Sequence, residues 1–253
     1  MTAIVGILCK KGVVVGADSS ATFASGQIRT IEQKTKKISI IEDKYIIAGT
    51  GQIGLGQRFV HELEKVVKNP HFASHPPVEL CRVISEVCIK NFITTNVQQN
   101  QYGALFAFPF KKTTFNLCEF DPSTMQPELK TDSLWYVSMG SGQIITDPFL
   151  GFIRKIFWHD GKPSLQQGIL TAIWTLQHAI ELNPGGINEP IDIAILEEIE
   201  GEKGREYKAR MLTEGEIEEN KNHIKELENH IARFTTEKID EIVQPGQTIP
   251  KLK

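Results

Sequence analysis

Two short runs near the N-terminus limit this chain more than any other feature. Residues 3–8, Ala-Ile-Val-Gly-Ile-Leu, and residues 12–18, Gly-Val-Val-Val-Gly-Ala-Asp, are apolar and rich in β-branched side chains. Between them stand Cys9, Lys10 and Lys11, with Gly12 closing the break. β-Branched residues fit a pleated backbone, so the pattern predicts two antiparallel strands joined by a tight turn at Gly12. That pairing brings the start of the first strand beside the end of the second. Thr2 and Asp18 should therefore lie close together.

Thr2 becomes the first residue once Met1 is removed. A threonine hydroxyl is a weak nucleophile until another group takes its proton, and an adjacent N-terminal amine can do so. A free α-amine titrates at about 7.7 to 8.0, so much of it is neutral near pH 7 and able to act as a base. Small Ala3 behind Thr2, and a carboxylate delivered at Asp18, give the geometry of a site. Alone, Met-Thr-Ala would be no more than a start codon followed by small residues.

Further segments carry a resemblance. Thr2-x-x-Val5-Gly6-Ile7 is followed by Lys10-x-Gly12-Val13-Val14-Val15-x-Ala17-Asp18-Ser19-x-Ala21-Thr22, then Lys36-Lys37-Ile38 and Ile47-Ala48-Gly49, and finally Tyr136-Val137-Ser138-Met139-Gly140-Ser141-Gly142. In this order they resemble the proteasome β-subunits, including bacterial and archaeal proteasome-like homologues, over residues 2–200. The resemblance implies an α+β fold, the four-layer αββα sandwich of the N-terminal nucleophile hydrolases. Residues 201–253 would add a closing strand, an extra C-terminal helix and a flexible tail from 244.

The resemblance also implies roles. Thr2 would be the nucleophile and its amine the base. Lys37 would be the neighbouring cation, held charged and oriented by Asp18. Lys34 has the usual spacing from Thr2, whereas Lys37 has the matching Lys-Lys-Ile context and stands twelve residues before Gly49, as in bacterial members. Lys37 is preferred, with a longer turn around residues 23–30, and Lys34 is the alternative. Gly49 would donate its N–H to an oxyanion, and Ser141 would bond the Thr2 amine or its water. Ala21, Thr35, Ile47 and Gly51 would line the pocket for the residue before the cut, suggesting modest size and apolar character.

Periodicity supplies the remaining elements. Strands are expected at 44–49, 103–110, 113–120 (a hairpin over Lys111 and Lys112), 134–139, 191–196 and 205–212. Helices are expected at 52–67, apolar along Ile53, Phe59, Val60, Leu63 and Val67; at 78–92, along Leu80, Val83, Ile84, Val87 and Phe92; and at 145–157 and 165–182. Asn183-Pro184-Gly185-Gly186 ends the last of these. Thr213 and Glu216 form a capping box before a helix carrying Ile217, Ile224, Leu227, Ile231 and Phe234, interrupted by Asn220. That stripe could pair with a neighbouring subunit or fold onto its own domain.

Other features exclude function classes. A formal net charge of -3 gives no footprint for nucleic acid or an anionic membrane. Cys9, Cys81, Cys88 and Cys118 form no disulfide framework or zinc spacing and read as buried thiols of a reducing cytoplasm. His223 and His230 lie two helical turns apart on a charged segment, an exposed face rather than a metal pair. The glycines at 51, 54 and 56 lack the Lys-Ser/Thr of a phosphate loop, and 158–161 reads as a turn. No metal or cofactor is expected. No apolar run approaches membrane-spanning length and no signal peptide precedes Thr2, so removal of Met1 would suffice for maturation.

The expected activity is a threonine endopeptidase acting on peptides or unfolded proteins, in a ring of identical subunits with a possible ATPase partner. An amidase or peptide ligase on the same scaffold, or a silent ring subunit, are the alternatives. One departure from the family pattern stands out. The loop after the 165–182 helix, where active members carry an Asp and a Ser, has Glu181 and Pro184 instead.

Overall fold

A computed structural model describes residues 1–25, 28–70, 72–95, 101–111, 114–158, 161–183, 185–201 and 204–242. In chain order its elements are β1 (Ile4–Cys9), β2 (Gly12–Asp18), β3 (Ser20–Ser25), β4 (Ile28–Lys34), β5 (Ile38–Ile41), β6 (Tyr45–Gly51), α1 (Ile53–Val67), α2 (Pro77–Ile93), β7 (Tyr102–Phe110), β8 (Thr114–Phe120), β9 (Pro127–Leu129), β10 (Tyr136–Met139), α3 (Gln143–Phe157), α4 (Leu165–Leu182), β11 (Ile191–Gly201), β12 (Gly204–Met211) and α5 (Glu214–Ile242).

The elements stack in four layers. One antiparallel sheet has the order β10-β1-β2-β11-β12 and the other β5-β6-β7-β8-β9. Every residue of β1 and β2 is buried, because this hairpin lies between the second sheet on one side and α4 on the other. That explains why both runs are apolar throughout rather than alternating. Gly6 marks the closest approach of the sheets, since a Cβ there would lie 2.7 Å from Leu105 Cδ1. A second core, built on Phe59, Tyr102, Phe106, Phe108 and Phe120, fills the space between the second sheet and the α1/α2 layer.

Several expectations need correction. Where a longer turn was expected, Ser20–Ser25 and Ile28–Lys34 pair as the antiparallel strands β3 and β4, with Ser20 opposite Lys34, and residues 26 and 27 lie outside the described residues. Strands β5 and β9 are too short to show a period of two. On α1 the buried face is Leu55, Phe59, Leu63 and Val67, while Ile53 is 46% exposed, because α1 covers only part of the sheet. On α2, Cys81, Ser85 and Cys88 occupy the core face beside Leu80, Ile84 and Phe92, whereas Val83 and Val87 are only partly buried.

The capping box of α5 is present: Glu216 N–H donates to Thr213 Oγ1 at 3.2 Å and Thr213 N–H to Glu216 Oε2 at 2.8 Å. The first turns of α5 lie against α4, where Ile224 is buried and Trp174 Nε1 donates to Glu228 at 2.7 Å. Asn220, the break in the stripe, is also buried and receives a bond from Gln166 Nε2. Further along, Ile231 and Phe234 are exposed. The tail from 244 and the Lys112, His159, Asp160 and Pro184 positions lie outside the described residues. All four cysteines are buried free thiols, and burial pushes Cys9 up to about 12.

Candidate active site

The β1–β2 register sets the site. Ile4 pairs with Ala17, and one step beyond, Ala3 N–H donates to Asp18 Oδ1 at 2.8 Å while Asp18 N–H donates to Ala3 O at 3.1 Å. Thr2 is thus the first residue beyond the ladder, tied on its C-terminal side to a fully buried carboxylate. Ser20 N–H donates to Asp18 Oδ2 at 3.1 Å, and Lys37 Nζ donates to Oδ1 at 2.6 Å. Three donors therefore hold one carboxylate and leave it little rotational freedom.

Lys37 sits just before β5, at the edge of the second sheet, and its side chain is almost wholly buried. Burial pushes its ammonium below the usual lysine range, and Asp18 pulls partly in the opposite direction. The same ammonium lies 3.4 Å from the Met1 carbonyl, one peptide unit from Thr2. Lys34, the alternative, lies exposed on β4. The structure brings Lys37, and not Lys34, to Asp18.

The segment Gly140-Ser141-Gly142 approaches Thr2 from the other side. Thr2 N–H donates to Ser141 Oγ at 3.0 Å and Gly142 N–H to Thr2 O at 2.9 Å. Gly140 has φ +95°, and a Cβ there would collide with the Thr2 carbonyl, so this approach requires glycine. The N-cap of α3 is Gly142, with no side-chain cap. Ser141 is consequently available to Thr2 rather than committed to the helix. Behind it, Thr146 Oγ1 donates to Ser138 Oγ, and Ser138 Oγ to Asp147, fixing the start of α3 against β10.

Thr2 opens onto a cavity of about 1150 Å³ whose lining includes Ala21, Thr35, Ile47 and Gly51, the four expected pocket residues, together with Lys37 and Gly49. The cavity is larger than those four imply and continues along α1. Gly49 N–H donates to Lys37 O at 3.2 Å at the end of the β5–β6 ladder. A Cβ at Gly49 would collide with the Tyr102 hydroxyl, so close packing already demands this glycine. Glu181 lines a separate cavity of about 400 Å³ between α4 and α5. Sequence reasoning missed Ser20 and Thr22. Ser20 orients Asp18 through a backbone N–H that any residue type carries, and Thr22 Oγ1 accepts from the Met1 amine at 3.2 Å.

Among the described residues no cluster of three or more His, Cys, Asp or Glu side chains could hold a metal, and no helix is long and apolar enough to cross a membrane.

Comparison with known proteins bears on family and fold. A family model described as proteasome subunit matches residues 2–195. No curated protein matches in sequence. Among solved structures, a mutant of Anbu from Hyphomicrobium sp. strain MC1 is similar with a TM-score of 0.68 and 13% identity over 92% of this chain and 97% of that one. Anbu, an ancestral β-subunit, from Yersinia bercovieri gives 0.66 and 14% over 98% and 99%. The helical assembly of the Anbu complex from Pseudomonas aeruginosa gives 0.64 and 12% over 91% and 96%. At these identities the likeness is one of fold.

Proposed function

Because this chain belongs to the proteasome subunit family, we propose that it is a threonine peptidase whose nucleophile is Thr2, exposed by removal of Met1. The observation that carries this reading is the convergence of Asp18, Lys37 and Ser141 on the backbone around one N-terminal threonine. After Met1 leaves, the Thr2 nitrogen becomes an amine that keeps Ser141 Oγ as its partner. It takes the hydroxyl proton, directly or through water, while Oγ1 attacks the substrate carbonyl. Lys37 lowers the cost of the developing alkoxide and, by like-charge repulsion, keeps the amine unprotonated. Asp18 keeps Lys37 in place. Collapse of the tetrahedral adduct passes the proton to the leaving amine and leaves an ester on Thr2, which water then hydrolyses.

The oxyanion donor would be Gly49 N–H. That donor now serves the Lys37 carbonyl, so it would have to be shared or exchanged on substrate binding. This specific observation favours a second reading, a ring subunit that keeps the fold without turnover. The Anbu neighbour seen as a helical assembly supports self-association, and the proposed working form is an oligomer of identical subunits.

Turnover of a fluorogenic peptide, measured with and without an added acceptor amine, tests the reading. Hydrolysis that disappears in Thr2→Ala supports the peptidase. Aminolysis as the main product would make the protein a ligase, and no turnover would favour the silent subunit.

A further inference from the structure

Ile53, Gln57, Val60 and Glu64 recur every three or four residues on α1, with His61 beside Val60, and all five line the Thr2 cavity. They form a helix face turned toward the cavity, which explains why Ile53 is exposed and Val60 only partly buried. From Ile53 to Glu64 this face extends about 16 Å at the α-helical rise. Strand β6 ends at Gly51 and α1 starts at Ile53, so the helix runs back beside the strand, and Ile47 lines the same space. At about 3.3 Å per strand residue, Gly51 to Ile47 covers about 13 Å, so Glu64 stands just past Ile47.

Among the described residues, Glu64 is the one carboxylate lining this cavity. Among the described residues it has no ion-pair partner. The lysines that follow it are engaged elsewhere, Lys65 with Glu62 at 2.9 Å and Lys68, just past the end of α1, with Glu42 at 3.8 Å. Of the cavity's own lysines, Lys37 is held by Asp18 and Lys36 is exposed. Tyr102 fills the space beside Gly49 and Gly56, so a side chain reaching from Thr2 toward this carboxylate would run along Ile47 and Val60.

We infer that Glu64 selects a cationic side chain, lysine or arginine, at the substrate residue whose carbonyl Thr2 attacks. This rests on the peptidase reading and replaces the modest apolar pocket expected from the sequence. Measured along the strand direction alone, Glu64 is displaced about 7 to 10 Å from Gly49, where that carbonyl would be held. The long stem of a lysine or arginine crosses that gap along Ile47 and Val60 and ends at the carboxylate, whereas a leucine stops short. An acidic side chain would meet a like charge there.

The test compares peptides that differ only in Lys, Leu or Glu before the cut, on the wild-type chain, Glu64→Gln and Glu64→Lys, with melting curves confirming that each variant folds. The wild type should favour Lys over Leu by about tenfold in kcat/KM, equivalent to about 1.4 kcal/mol. Glu64→Gln should erase that preference, and Glu64→Lys should turn it toward Glu. Equal rates on all three peptides, or a Lys preference that survives Glu64→Gln, would overturn the assignment. If a side-chain-free β-lactone does not modify wild-type Thr2, the peptidase reading has failed instead. In that event fluorescein-labelled peptides ending in Lys, Leu or Glu are bound to the Thr2→Ala chain. A Lys preference lost on adding Glu64→Gln keeps the pocket assignment, and its absence removes it.

Discussion

Replacing Asp18 by Asn keeps the side chain's shape and removes its charge. Lys37 Nζ, Ala3 N–H and Ser20 N–H all donate to this carboxylate, at 2.6, 2.8 and 3.1 Å. An asparagine has one acceptor oxygen and an NH₂ group that is itself a donor, so at least one buried N–H loses its acceptor. The unmatched N–H costs about 1 to 3 kcal/mol. Removing one partner of a buried ion pair costs about 3 to 5 kcal/mol. The two costs overlap, because the same oxygens serve both, and a total near 3 to 5 kcal/mol is expected. At about 2 to 4 °C per kcal/mol for a chain of this size, the melting temperature should fall by about 6 to 20 °C.

The assay is denaturant and thermal unfolding at fixed protein concentration, extended to Lys37→Met and the double variant. Taking away the cation removes the uncompensated charge, so Asp18→Asn with Lys37→Met should be more stable than Asp18→Asn alone. An Asp18→Asn chain within 1 kcal/mol of wild type, or a double variant no better than the single, would refute the reasoning.

Three further outcomes follow from the geometry. Gly140→Ala puts a methyl against the Thr2 carbonyl at a φ of +95°, so it should lose about 1 to 3 kcal/mol of stability and slow modification of Thr2 by a β-lactone at least about tenfold. Because burial lowers the Lys37 pKa from 10.5, its charge is lost as pH rises through that lowered value; the alkaline limb of Thr2 modification, followed from pH 7 to 11, should begin before the ordinary lysine range. Glu216 is held at about 2 instead of 4.5, first by Arg210 and then by the Thr213 backbone. Since the folded form has the lower pKa, its stabilisation is present above pH 4.5 and lost as pH falls toward 2, and acid unfolding of Glu216→Gln should be less steep there than that of wild type.

The sequence showed most clearly what depends on local pattern. The β1–β2 hairpin, α4 and the Thr213–Glu216 cap are visible because burial on both faces, a helical stripe and a reciprocal hydrogen-bond pair each leave residue-type signatures. Asp18 was legible because its position at a strand end follows from the hairpin. The β3–β4 hairpin was not, since its exposed Phe23 and Ile31 alternate with polar residues that also suit a loop. Ile53 and Val60 were read as core because periodicity gives the apolar face of a helix but not whether a sheet or a cavity faces it. Glu64 carried no signal of its own, being one of two carboxylates on α1, and gains meaning only from the cavity that it lines. Ser141 could be paired with Thr2 only through the resemblance, since 139 residues separate them.

The central claim is that Thr2, freed of Met1, is an activated nucleophile. The most direct measurement is the intact mass of the purified protein before and after treatment with a peptide epoxyketone or β-lactone, with the adduct located by fragmentation. The account predicts a chain lacking Met1 that gains one probe mass on Thr2, and no gain in Thr2→Ala or Lys37→Ala. Retained Met1, or a chain that begins at Thr2 and stays unmodified, would contradict it.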